Sequence, residues 1–301
     1  MIKRILRSGG LSFFVLALLL PPLVTWAKPI RIGSISTEPA AEIKRFLPLA
    51  GYLATQLQSD GFDQGKVVVA RSMPEMAAFL KEGKVDLYID SPFPALAVSR
   101  LSGSKFLLRR WKKGIGEYHS VIFATKESAI NRLEDLKGKM IAFEEPFSSS
   151  GYFFPKMALM QEGLKLVSKK EASDPIGPGE VGYIFSLEDE NTMVWVLRGK
   201  VPAGAMDNQN YPKEARGNLN SLKIIYKTSS FPRQIVSYRA DLPSKLVARI
   251  KEILIKMDQS EDGKKVLQDF ERTTKFDELP DQSMAHFLRL QKFIDSELGL
   301  K

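Results

Sequence analysis

Apolar and polar residues alternate over Ile30-Arg31-Ile32-Gly33-Ser34-Ile35, and apolar residues then recur at helical spacing at Phe46, Leu49, Ala50, Leu53 and Leu57. The pattern predicts a strand followed by a helix over 41–57. It repeats as a strand at 66–70, a helix at 74–81, a strand at 85–89 and a helix at 93–100. A second series begins with the run 120–124 and continues through the short apolar run 140–143 into a serine-rich turn. It goes on to a helix at 191–198 and a buried strand at 201–206. Strands alternating with helices imply parallel, right-handed βαβ sheets. Between the series, 109–116 is basic and glycine-containing, which suits a crossing strand or linker. The chain returns through 222–226 and the proline-marked Phe231-Pro232. From Asp241 it reads as mostly helical, with Leu246, Ile250, Ile253, Leu254 and Met257 on one face and Asp241 as a candidate cap. No internal repeat or low-complexity tract interrupts this.

Two βαβ units, joined by two crossings and closed by helices, predict an α/β chain of two lobes, each a mostly parallel sheet flanked by helices. One lobe is expected at 28–117 plus 226–301 and the other at 118–225. Clefts between lobes are where small ligands bind.

Composition changes the picture at the N-terminus. Residues 1–27 carry Lys3, Arg4 and Arg7, an apolar stretch from Leu11 to Leu20, a Pro21-Pro22 break, and Thr25-Trp26-Ala27 before Lys28. These are the three parts of a secretory signal peptide, with cleavage expected after Ala27 and export of the mature chain. The prolines leave the apolar core too short for a retained anchor. Cleavage removes three positive charges, leaving 301 − 27 = 274 residues with a formal charge of +9 − 3 = +6. The basic residues are interspersed with acids, as on solvated helix faces, so no nucleic-acid partner is expected. The chain has no cysteine, which excludes disulfides, thiolate metal sites and a lipid-modified cysteine.

The chemistry gathers at strand ends. After the strand at 140–143 come Glu144-Glu145-Pro146-Phe147 and then Ser148-Ser149-Ser150-Gly151, ahead of a helical pattern through Leu159, Met160 and Leu164. Serines at a helix N-terminus, with its free N–H groups and positive dipole end, suit an anion; one serine also suffices as an ordinary cap. Asp90 ends the strand at 85–89 and is either a ligand residue or the cap of the next helix. Asp207 ends the strand at 201–206. In the cluster Glu188-Asp189-Glu190, the dipole of the helix that follows accounts for acids without any ligand. Of the two histidines, His286 reads as a surface residue of a charged helix, while His119, between Tyr118 and Ser120, lies at the lobe crossing. There is no nucleophile elbow, phosphate-binding loop or His/Glu zinc motif, and neither cofactor nor catalysis is expected.

The chain resembles the periplasmic substrate-binding proteins of phosphonate, phosphite and phosphate ABC transporters. The marks, in order, are Ile35-Ser36-Thr37-Glu38, Pro48-Leu49-Ala50-Gly51-Tyr52-Leu53, Gly83-Lys84-Val85-Asp86 and Tyr118-His119-Ser120-Val121. Then come Asp135-Leu136-Lys137-Gly138-Lys139, Pro146 with Ser148-Ser149-Ser150-Gly151-Tyr152, and Ala203-Gly204-Ala205-Met206-Asp207. The resemblance implies a two-lobed type II periplasmic binding protein that closes over a small ligand. It places the family's phosphonate-holding turn on Ser148, Ser149, Ser150 and Gly151, its aromatic cleft residue on Tyr118 and its late acid on Asp207. A membrane permease of an ABC transporter is the implied partner, with a membrane sensor as the alternative, and a monomer is expected. An exported enzyme on the same fold, with Asp189 or Asp207 as general base, is a third class; a solitary acid makes it a poor catalyst.

The departures bear on the ligand. Asp189 stands where the family usually has a histidine, Glu144-Glu145 where it tends to have a glycine and one acid, and Asp90-Ser91 where an aromatic or glycine is usual. Like charges within about 4 Å in a partly dry cleft cost several kcal/mol. The expectation is therefore that Ser148, Ser149 and Ser150 grip an oxyanion or hydroxyl group while Asp189, Asp207 and Asp90 take an ammonium, guanidinium or hydroxyl. A zwitterion or amine-bearing ligand then fits better than bare phosphate.

Overall fold

The computed structural model describes residues 28–300. The signal-peptide reading concerns residues outside that range. Strand β1 (Lys28–Ile35) leads into helix α1 (Pro39–Gln56), which buries Phe46, Leu49, Ala50 and Leu53, the positions its periodicity marks. Then come β2 (Phe62–Ala70), α2 (Met73–Lys81), β3 (Leu87–Asp90), α3 (Pro92–Ser102) and β4 (Lys105–Lys112). The first crossing is β5 (Glu117–Tyr118). Past it lie β6 (Ser120–Thr125), β7 (Met140–Phe143), α4 (Phe154–Gln161), β8 (Lys165–Ser168), β9 (Glu180–Phe185), α5 (Asp189–Leu197), β10 (Ala203–Asp207), α6 (Asn210–Ala215) and β11 (Leu222–Lys227). The chain returns through β12 (Phe231–Pro232) and β13 (Gln234–Tyr238). It ends with α7 (Ser244–Lys256), α8 (Glu261–Asp269), β14 (Thr273–Asp277), α9 (Asp281–Arg289) and α10 (Gln291–Glu297). No helix among the described residues is long and apolar enough to cross a membrane.

The strands form two six-stranded sheets, ordered β14-β4-β13-β3-β1-β2 and β11-β6-β10-β7-β9-β8, and the two crossings pair antiparallel as β12-β5. Parallel pairing holds β2, β1 and β3 together in the first sheet and β10, β7, β9 and β8 in the second. The returning β13 runs antiparallel to both β3 and β4, and β6 antiparallel to β10 and β11, so each sheet is mixed where the chain crosses. The segment 109–116 is therefore not a linker throughout: its first part belongs to β4, inside the first sheet. Strand β11 carries the second sheet to Lys227. Asp241 does not cap α7, whose N-cap is Pro243; its carboxylate instead pairs with Arg239 at 2.6 Å.

The crossings are held where Gly116 lies against the Trp111 ring; a Cβ there would meet ring carbons at 2.5–2.8 Å. Arg109 anchors the same corner, donating from Nη1 to Glu117 at 2.9 Å and through Nε and Nη2 to both oxygens of Asp277. The C-terminal helices reach both halves of the molecule. Asp295 accepts from Arg100 of α3, while Glu297 accepts from Lys156 and Tyr152 of the second half.

Candidate functional site

A cleft of about 350 Å³ lies between the two sheets. Its lining comes from the carboxyl ends of strands in both: Ile35 ends β1, Asp90 ends β3, Glu144 and Glu145 follow β7, Leu187 follows β9 and Asp207 ends β10. Strand ends of open α/β sheets are where ligands bind, because loops there are free to carry side chains the core does not need. Of the residues singled out in the sequence, Tyr118, Ser148, Ser149, Ser150, Asp90, Asp189 and Asp207 line this cavity. Gly151, His119 and Asp86 do not.

The serine turn opens with a π-helical turn over Ser149–Phe153, continued by α4. Two of the three hydroxyls already have partners. Ser148 Oγ accepts from the Gly151 N–H at 2.9 Å, as an N-cap, and donates to Glu144 Oε2 at 2.6 Å. Ser149 Oγ accepts from the Phe93 N–H at 2.8 Å and donates to Ser91 Oγ at 2.8 Å, which ties the turn to the first turn of α3. Ser150 is buried and lines the cleft together with Tyr118. Gly151 is required by its surroundings: a Cβ would fall 2.5 Å from Glu144 Cβ. The first turn leaves the Ser149 and Ser150 N–H groups without intrahelical acceptors. Ser149→Ala is expected to lower stability by about 1–2 kcal/mol, because the buried Phe93 N–H loses its acceptor; urea unfolding measures it.

The acids differ in how committed they are. Asp207 Oδ1 accepts the backbone N–H groups of Gln209 and Asn210 at 2.7 and 2.9 Å, and Oδ2 accepts Asn210 Nδ2 at 3.1 Å, so it braces the turn into α6. Asp90 does not cap α3, whose N-cap is Ser91; it accepts the Ser91 N–H at 2.6 Å and the Tyr88 hydroxyl at 2.9 Å. Asp189, the first residue of α5, accepts Asn210 Nδ2 on Oδ2 at 2.6 Å, while its buried Oδ1 has no partner among the described residues.

Nine carboxylates line the cleft (Glu38, Glu42, Asp90, Glu144, Glu145, Glu188, Asp189, Asp207 and Glu271) against three cations, Arg45, Lys112 and Arg233. Burial, opposed by hydrogen bonds from Ser91 and Tyr88, pushes Asp90 up to about 7. Burial and the neighbouring acids push Glu144 up to about 7, Glu145 to about 8 and Asp189 to about 8. Carboxylates raised in the folded state favour folding when protonated. Their contribution is complete below the ordinary carboxylate range and is lost as pH climbs through 7 to 8. The ligand-free protein is therefore expected to melt at a lower temperature at pH 9 than at pH 6, as a scanning series would show.

Arg233 was not singled out by the sequence reading. It follows directly on the proline-marked return, Phe231-Pro232, and a basic residue at a lobe crossing was the available signal. Its guanidinium carbon lies 4.3 Å from the centre of the Tyr118 ring. Ser36 and Thr37 of the first family mark, and Ser91 of the Asp90-Ser91 departure, also line the cleft.

Residues 32–284 match the family described as the periplasmic substrate-binding protein of phosphonate ABC transporters. The phosphonates-binding periplasmic protein of Escherichia coli is 25% identical over an alignment of 317 positions that spans 99% of this chain and 88% of that one. Among solved structures, XAC2383 of Xanthomonas citri bound to chloride superposes with a TM-score of 0.84 at 23% identity, over 90% of this chain and 98% of that one. PhnD1 of Prochlorococcus marinus in complex with methylphosphonate gives a TM-score of 0.64 at 18% identity, over 90% and 98% of the two chains.

Proposed function

The chain belongs to the family of periplasmic substrate-binding proteins of phosphonate ABC transporters, with the type II periplasmic binding protein fold, and from that premise we propose that its ligand is a small zwitterion. Its role is to bind a small molecule for an ABC transporter. In the proposed mode the ligand carries an oxyanion at one end and an amine at the other. The single observation that supports this is the charge of the cleft: nine carboxylates around about 350 Å³, with Asp189 Oδ1 buried and unpartnered. An ionised acid without a partner in such a place is costly, and a ligand ammonium would satisfy it.

In this reading Asp189 takes the ammonium, helped by Glu144, Glu145 and Asp90. Asp207 keeps Asn210 in place beside it. Ser148, Gly151 and Glu144 form the frame of the turn, and the Ser149 and Ser150 N–H groups face the oxyanion. Tyr118 supplies a ring and a hydroxyl between the crossings. Closure of two lobes, 28–117 plus 226–301 and 118–225, would carry the complex to a permease. The exported form is proposed to begin at Lys28 and to act as a monomer, without catalysis.

A thermal-shift panel on the mature protein tests the reading. At 100 times its dissociation constant a ligand adds about 2.7 kcal/mol of stability. 2-Aminoethylphosphonate is expected to raise the melting temperature more than methylphosphonate does, and to be recovered chemically unchanged. A larger shift with methylphosphonate would contradict the zwitterion.

A further inference from the structure

Two of the three cations in the cleft are already paired. Arg45 donates to Glu42 at 3.0 Å, and Lys112 stands 2.7 Å from Glu271. Arg233 has no carboxylate within 4 Å among the described residues, and what holds it is neutral. Its guanidinium rests over the Tyr118 ring, and its backbone N–H donates to Gly116 O at 2.8 Å. The backbone bond and the ring fix the side chain from two sides before any ligand arrives.

A guanidinium has five donors in a planar fork. A ring face takes none of them. Burial works against the charge, yet Tyr118, Asp207 and Glu271 outweigh it, and the group stays cationic. A fixed, charged fork with spare donors in a cleft of acids is a costly arrangement unless an anion arrives. We propose that Arg233 is the receptor for the ligand's oxyanion, acting with the serine turn that lines the same cleft. This inference rests on the zwitterion reading only for the amine end.

The test is calorimetric titration of wild type, Arg233→Gln and Arg233→Lys with inorganic phosphate and with 2-aminoethylphosphonate. Charge-assisted hydrogen bonds of this kind predict a loss on the order of 10- to 100-fold in Arg233→Gln for both probes. Arg233→Lys, which keeps the charge but not the fork, should lose less; it carries the test if the glutamine variant fails to fold. Unchanged affinity for both probes in a folded variant would overturn the role of Arg233 and leave the zwitterion reading standing. Loss of phosphate binding in a protein that prefers phosphate to 2-aminoethylphosphonate would keep Arg233 and overturn the zwitterion. Failure of wild type to bind either probe would overturn both.

Discussion

Asp189→His should exchange the ligand preference of the cleft, tightening methylphosphonate by at least about tenfold and weakening 2-aminoethylphosphonate by about 10- to 100-fold. The effect is electrostatic. Two unit charges 4 Å apart interact by about 4 kcal/mol at the effective dielectric of a partly solvated site, and part of that survives ligand ordering and water exchange. Asp189 presents an unpartnered carboxylate oxygen and shares Asn210 with Asp207. Above about pH 8, where Asp189 is ionised, an imidazole there removes a negative charge and supplies a donor. Titration of both probes into both proteins measures the exchange. Equal affinities in wild type and variant would show that Asp189 does not face the ligand.

The second large effect concerns the frame that holds the cleft. Arg110 is fully buried in β4. It donates from Nε to Thr273 Oγ1 at 2.8 Å, from Nη1 to Glu271 Oε2 at 3.0 Å and to Gln234, and from Nη2 to Phe270 O at 3.0 Å. Its guanidinium carbon lies 3.7 Å from the centre of the Phe270 ring. One side chain thus ties β4 to β13 and to the turn between α8 and β14, and it orients Gln234 and Glu271 at the cleft wall. Burial lowers its own pKa to about 10, yet it remains charged at neutral pH. Arg110→Ala leaves several buried acceptors unpaired and a cavity behind, and is expected to cost about 3–5 kcal/mol in urea unfolding. A loss below about 1 kcal/mol would mean that water replaces the guanidinium.

Much of this was legible in the pattern of the chain. The run 140–143 is a strand with those bounds because four consecutive buried apolar residues leave little alternative, and α1 follows its periodic stripe. The fold and the binding role follow from such repeats together with the ordered family marks. Strand β14 was missed because only Phe276 and Thr273 among its residues are buried, and an edge strand of polar residues has no apolar signature. Asp241 satisfied the compositional rule for a cap, but the neighbouring Arg239 claimed it.

The site was legible in its residues more than in their duties. Cleft acids and serines stood at strand ends, where the pattern put them. Local spacing does not say that Ser149 bonds Phe93, 56 positions away, or that Asp207 faces its own following turn. Arg233 was silent for the same reason: its meaning depends on Tyr118, which reaches it only when the two crossings pair.

The most direct measurement is the ratio of affinities for 2-aminoethylphosphonate and methylphosphonate, taken by calorimetry from pH 6 to pH 9. The probes share a head group, so the ratio isolates the amine. The acids held near 7 to 8 ionise across this range, and each step favours an ammonium and opposes an anion. The account predicts a ratio favouring the amine that widens as pH rises. A ratio at or below unity, flat across the range, would contradict it.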